Sequence, residues 1–181
     1  MPLKTALFLI LATIITLLCG VIYLAVQQSY RLSANDPQVQ ISESTANMLS
    51  QGQDLTPMLP EQKADLNKSL ATFIIVYDDA QNPIISTADL DGQIPELPKG
   101  VLDNALEHGQ NRVTWQPKPG VRIASVITKY NGGYVLAGRS LREVESRIDL
   151  MTKKIIIAWL VTLAVAFLGT WFLVPNPKNK S

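Results

Sequence analysis

The sequence of residues 121–139 is VRIASVITKYNGGYVLAGR. β-Branched and aromatic side chains are frequent in Val121 to Lys129 and in Tyr134 to Arg139, and such residues favour β-strands. Asn131-Gly132-Gly133 between the two runs is a turn sequence, because glycine adopts positive φ at little cost. The segment therefore predicts two antiparallel strands joined by a tight turn.

Turn residues also separate the apolar runs on the N-terminal side of this pair. Lys118-Pro119-Gly120 precedes it directly, and residues 78–83 divide an earlier apolar hairpin. We predict strands at residues 73–77, 84–86, 112–116, 121–129 and 134–139. We predict helices at residues 36–51, 61–70 and 101–107, the first with Asn35 as its N-cap and Pro37 in its first turn. This order predicts an α+β fold, a five-stranded antiparallel sheet with flanking helices.

Two long apolar stretches, Thr5 to Val26 and Ile155 to Val174, flank the predicted sheet and contain no charged residue. At about 1.5 Å of rise per residue, each forms a helix of roughly 30 Å, the thickness of the hydrocarbon core of a bilayer. We therefore expect two membrane spans, with the lipid bilayer as a partner. The alternatives are a buried core helix for either stretch and a cleaved signal peptide for the first. Cys19 also raises the question of lipidation, but bulky Leu17-Leu18 precedes it, so we interpret it as packing within the membrane.

The spans predict five segments along the chain. Residues 1–27 form a first transmembrane helix with a short tail, and residues 28–140 form one folded domain. Residues 141–154 form a juxtamembrane helix, residues 155–174 the second transmembrane helix, and residues 175–181 a short tail. Two spans place both termini on the same side of the membrane. Basic residues flank the spans mainly on the domain side, which favours a cytoplasmic domain, but this rule is weak for long loops.

Three strings carry a resemblance to a known family. They are Ser33-Ala34-Asn35-Asp36-Pro37-Gln38, the run Phe73 to Asp78, and the run Gly138 to Glu145. With the order of elements, they resemble the extracytoplasmic PAS-like, or Cache-type, sensor region of bacterial two-span membrane histidine kinases. The resemblance covers nearly the whole chain and implies a homodimeric sensor domain outside the cytoplasm, with cytoplasmic termini in the cell membrane.

The same resemblance implies a role in a two-component system. The chain ends a few residues after the second span, so we expect no kinase output of its own and a separate histidine kinase as a possible partner. An accessory subunit that modulates a partner kinase is one alternative. The N-terminal part of a longer histidine kinase is another.

A 3–4 repeat of apolar residues follows the last predicted strand. Leu141, Val144, Ile148 and Met151 lie on one seam of a helix that continues into the second span. We interpret this seam as a dimer contact that passes a change in the sheet to the transmembrane helix. The alternative is an amphipathic helix that packs on its own sheet.

Enzyme chemistry is not expected from these residues. The sequence has no Gly-x-Ser-x-Gly motif, no phosphate-binding glycine loop and no His or Cys cluster with the spacing of metal ligands. His108, the one histidine, lies near the end of a short predicted helix. Sixteen Lys and Arg against fifteen Asp and Glu give a formal net charge of +1, which does not suggest a nucleic-acid surface. We expect no cofactor, no metal and no nucleic acid.

A small-molecule ligand is possible on one face of the sheet, where PAS-like folds bind ligands. Tyr77, Trp115 and Arg122 could form an apolar wall with one cation, which would suit a carboxylate-bearing metabolite. The alternative is that Tyr77 and Trp115 belong to the core and that Arg122 is solvated.

Overall fold

The structure, a computed structural model, describes residues 2–33 and 36–175. The predicted N-cap Asn35 and the predicted tail after Pro175 lie outside the described residues. The chain forms two compact units: Arg31–Glu145 is the sheet unit, and Met1–Tyr30 with Ser146–Ser181 is the helical unit.

One five-stranded antiparallel sheet organises the sheet unit, as the sequence predicts. Its strands are β2 (Phe73–Asp78), β3 (Pro83–Ser86), β5 (Gln110–Lys118), β6 (Val121–Tyr130) and β7 (Gly133–Ser140). Their order is β3-β2-β7-β6-β5. Of the two strands predicted at residues 121–139, β7 is the central strand of the sheet and β6 lies beside it. Two further short strands, β1 (Ala64–Asp65) and β4 (Ala88–Asp89), pair with each other in parallel.

Register assigns the side chains to two faces of the sheet. Ile75 pairs with Leu136, and Leu136 pairs with Ile127, so these three buried side chains share one face. This face carries the hydrophobic core and is covered in part by α3 (Val101–His108), which packs against β5 and β6. We call it the core face. The opposite face is covered by α2 (Asp36–Ser50), which packs against β6 and β7.

Helix α2 buries an unusually polar side against the sheet. Its buried residues are Gln38, Ser42, Thr45 and Ala46. The Ser42 hydroxyl lies 2.9 Å from the hydroxyl of Thr128 on β6. This contact fixes α2 on the face opposite the core face, because Thr128 alternates with Ile127 along the strand.

The predicted helix at residues 61–70 is wrong. Ala64–Asp65 form strand β1 instead, after a single 3₁₀ turn at Thr56–Met58. The Asp65 carboxylate accepts hydrogen bonds of 2.9 Å from the backbone N–H and from the side-chain amide of Asn67. Such local bonds compete with helix formation, because they satisfy the backbone in a turn.

The helical unit contains parts of two long helices, α1 (Leu3–Ser33) and α4 (Arg142–Leu173). Both are long and apolar enough to cross a membrane, and almost none of the side chains in their apolar windows is fully buried. Within the unit, Trp159 Nε1 donates a 3.0 Å hydrogen bond to Thr16 Oγ1, and the rings of Phe8 and Phe167 meet edge to face at 5.5 Å. These features are compatible with a two-pass membrane protein.

Candidate functional site: a cleft beside Tyr77

The structure brings two of the three predicted ligand residues into the core of the sheet unit. Tyr77 on β2 and Trp115 on β5 both belong to the hydrophobic cluster of the core face. Trp115 Nε1 donates a 2.9 Å hydrogen bond to Ser125 Oγ, so the polar atom of its ring is already satisfied. Trp115 therefore supports the core, whereas Tyr77 also lines a cleft in which neither Trp115 nor Arg122 takes part.

Arg122 lies on the opposite face of the sheet. It alternates with Ile123, which pairs with Trp115 on the core face. Its guanidinium forms an ion pair with Glu145 in the first turn of α4. The three residues do not form one wall, and Arg122 is not among the residues that line the cleft beside Tyr77.

The cleft has a volume of about 320 Å³ and opens beside the C-terminal end of β2. Its walls are Tyr77, Gln81, Pro83, residues 94–100 and Leu102. A volume of this size is at the lower end of the range for small-molecule sites. The sequence predicted only a long connection at residues 94–100, although Pro95 and Pro98 restrict the backbone of this segment.

The hydroxyl of Tyr77 is the unusual polar group of this site. Tyr77 is only 4% exposed, and its hydroxyl has no hydrogen-bond partner among the described residues. Burial raises the pKa of the phenol far above its usual range, so the group stays neutral at all physiological pH values. A buried phenol normally finds a partner, because leaving it unpaired costs about 1–3 kcal/mol.

The mouth of the cleft is held by a polar contact between a turn and a helix. Gln81 adopts a positive φ of 66° in the turn between β2 and β3. Its Nε2 donates a 2.7 Å hydrogen bond to Asp103 Oδ1 in the first turn of α3. This hydrogen bond joins the turn that lines the cleft to α3.

The predicted seam residues Leu141, Val144, Ile148 and Met151 are all half-buried. In the helical unit, Ile148 and Met151 line a narrow crevice between α1 and α4, with Tyr23 opposite them. In the sheet unit, Arg139 on β7 donates a 3.1 Å hydrogen bond to Glu143 in the first turn of α4. The seam therefore has contacts within one chain, and a contact between chains stays a prediction.

No group of three or more His, Cys, Asp or Glu side chains within residues 2–33 and 36–175 is arranged to hold a metal ion. His108 is exposed on α3, with Nδ1 3.1 Å from the carbonyl oxygen of Asn104.

Comparison with protein-family models, with curated proteins and with solved structures finds no match for this chain.

Proposed function

We propose that this chain is a membrane-anchored, sensor-like protein for signal transduction. Its sheet unit is a PAS-like domain of the Cache type that lies outside the cytoplasm and binds a small molecule in the cleft beside Tyr77. The chain acts as a homodimer, and its output passes to a separate partner such as a histidine kinase.

The observation that carries this proposal is the direct connection between the sheet and an apolar helix. Strand β7 ends at Ser140, and α4 begins at Arg142 and continues without a break to Leu173. The ion pairs Arg139–Glu143 and Arg122–Glu145 attach the first turns of α4 to β7 and β6. A change in the sheet would therefore act on the start of the same helix that has the composition of a membrane span.

The orphaned hydroxyl of Tyr77 supports the ligand-binding part of the proposal. Tyr77 lines the cleft, and a buried polar group without a partner is unfavourable for folding; a bound molecule that reached this hydroxyl would supply the partner.

Crosslinking of single cysteines tests the dimer and the output. Each of Leu141, Val144, Ile148 and Met151 is changed to cysteine in a Cys19→Ser background and treated in native membranes with a short bis-maleimide. We expect crosslinked homodimers at these positions. Ser146→Cys and Lys153→Cys are the controls, because at 100° per residue they lie on the other side of the same helix.

Two outcomes would count against the proposal. Equal crosslinking at the seam and at the control positions would contradict a homodimer contact along the seam. Capture of a different membrane protein, without capture of a second copy, would favour an accessory subunit that modulates that protein.

A further inference from the structure

We propose that residues 65–70 form a strap that couples the wall of the cleft to the start of α4. The strap is bonded at one end to the junction of β7 and α4, and at the other end to the strand and turn that lead into the cleft wall. This inference rests on the proposed function and deepens it, because it names the route by which a change at the cleft reaches the helix.

One end of the strap is held by two arginines at the start of α4. Arg142, the first residue of α4, donates hydrogen bonds of 3.0 and 2.6 Å to the carbonyl oxygens of Asn67 and Lys68. Arg139, near the end of β7, donates a 3.3 Å hydrogen bond from Nε to the carbonyl oxygen of Leu70. A guanidinium presents several N–H donors in one plane, so a single arginine can hold two successive carbonyl groups.

Arg139 gives the strap a second connection to α4. The guanidinium that bonds to Leu70 also donates a 3.1 Å hydrogen bond from Nη2 to Glu143 in the first turn of the helix. The strap is therefore bonded to α4 itself through Arg142, and to a strand residue that is bonded to α4.

The other end of the strap is paired with β4. Ala64 and Asp65 of β1 pair in parallel with Ala88 and Asp89. The backbone N–H of Leu66 donates a 2.9 Å hydrogen bond to the carbonyl oxygen of Asp89, and the Leu66 side chain is buried in the cluster of the core face. Because backbone pairing and side-chain burial act together here, we expect the strap and β4 to move as one piece.

Asn67 extends this connection to the turn that follows β4. Its Nδ2 donates hydrogen bonds of 2.9 Å to Asp65 Oδ1 and 3.1 Å to Asp91 Oδ1. Hydrogen bonds from the backbone and side chain of Asn67 lower the pKa of Asp65, and bonds from Lys118 and then Asn67 lower the pKa of Asp91. Both carboxyl groups are therefore ionised, and the amide of Asn67 bridges two negative charges that repel each other without it.

The turn after β4 leads directly into the cleft wall. Leu90 and Gln93 exchange backbone hydrogen bonds of 2.8 and 3.1 Å, which close a tight turn around Asp91. Ile94 follows this turn at once and lines the cleft. A continuous series of contacts therefore runs from the cleft wall, through the turn and the strap, to Arg142.

Hydrogen–deuterium exchange tests this coupling in the full chain in lipid nanodiscs, with no ligand added. Arg142→Gln removes the bonds from Arg142 to the strap. We expect exchange about fivefold faster in peptides that cover residues 65–70 and 88–98, as well as at residues 141–145. Arg142→Lys keeps the charge but loses the planar pair of donors, so the increase should be smaller.

The matched control is Arg122→Gln. This change also removes an ion pair from the first turn of α4, but Arg122 lies on β6 and pairs with Glu145. It should speed exchange at residues 141–145 and leave residues 88–98 unchanged. Asn67→Ala tests the opposite direction: because coupling is reciprocal, it should speed exchange at residues 141–145 as well as at residues 88–98.

The outcomes separate the strap from the proposed function. If Arg142→Gln speeds exchange at residues 141–145 only, as the control does, the strap proposal is wrong, and the sensor proposal stands on the ion pairs that attach α4 to the sheet. Faster exchange at residues 88–98 in a protein that fails the crosslinking test for a homodimer would keep the strap and count against the sensor proposal. If Arg142→Gln speeds exchange throughout β6 and β7, the sheet itself has opened, and Arg142→Lys and Asn67→Ala decide the question by the same comparison.

Discussion

Gln38 is fully buried on α2, yet neither polar atom of its side chain has a hydrogen-bond partner in the described part of the chain. Leaving a buried amide without a hydrogen-bond partner lowers the free energy of unfolding by about 1–3 kcal/mol. An apolar side chain of similar shape carries no such penalty. We therefore expect Gln38→Met to raise the free energy of unfolding by about 1 kcal/mol. Thermal unfolding of the full chain in nanodiscs measures the change. Gln40→Met, at an exposed position of the same helix, should have little effect, and a lower melting temperature for Gln38→Met would contradict the argument.

Gly138 on β7 illustrates a different constraint, the space available to one methyl group. A Cβ at this position would lie 2.4 Å from the Phe73 ring carbon Cζ, so the ring occupies the place of a side chain. Gly138→Ala forces this buried ring to move and should destabilise the protein by about 1–3 kcal/mol. Gly138→Ala should destabilise the Phe73→Leu variant less than it destabilises the unsubstituted protein, because the ring is then gone. Equal costs in both backgrounds, measured by thermal unfolding, would contradict the steric explanation.

At the scale of elements, α2 is attached to the sheet through polar contacts. Ser42→Ala removes the hydrogen bond to Thr128 and should lower the free energy of unfolding by about 1 kcal/mol. Ser44→Ala is the matched control, because the Ser44 hydroxyl bonds only to carbonyl oxygens of its own helix. If the two variants unfold at the same temperature, the contact with the sheet does not hold α2.

The elements themselves were largely predictable from local signals. Strong β-formers between glycine and proline turns located all five strands of the sheet, and α2 follows the predicted bounds within one residue. The helix predicted at residues 61–70 failed because Asp65 and Asn67 form a local turn, which apolar periodicity does not reveal.

The relation between elements was harder to predict than their bounds. Trp115 and Arg122 lie on the paired strands β5 and β6, whose register shifts between Trp115 and Lys118. A shift of one residue moves a side chain to the other face, so the sequence left the face of Arg122 open. A carboxylate ligand was expected because the sequence does not reveal that Arg122 lies on the face opposite Trp115.

At the scale of the whole molecule, the cleft depends on contacts that are distant in sequence. Residues 94–102 close over Tyr77, although a long proline-containing connection separates them from β2. Turn and strand signals describe each segment and do not say which side of the sheet the connection covers. This is why sequence reasoning found Tyr77 and missed the wall opposite it.

The side of the membrane that holds the sheet unit is the most consequential open property of the proposed sensor. Flanking charges do not orient a domain of this length reliably. Asn82 and Asn131 are exposed turn residues, so burial would not block a reagent at either position. The chain contains one cysteine, Cys19, and its replacement by serine gives a background without thiols.

We expect Asn82→Cys and Asn131→Cys, each in the Cys19→Ser background, to react with a membrane-impermeant maleimide on intact bacterial cells. Lys178→Cys, beyond the second apolar stretch, is the control and should react only after lysis, because two spans place it on the side opposite the sheet unit. Labelling at both asparagine positions makes the cleft accessible to molecules outside the cell, as an environmental sensor requires. Protection at both positions until lysis would place the cleft in the cytoplasm, and the extracytoplasmic part of the proposed function would be wrong.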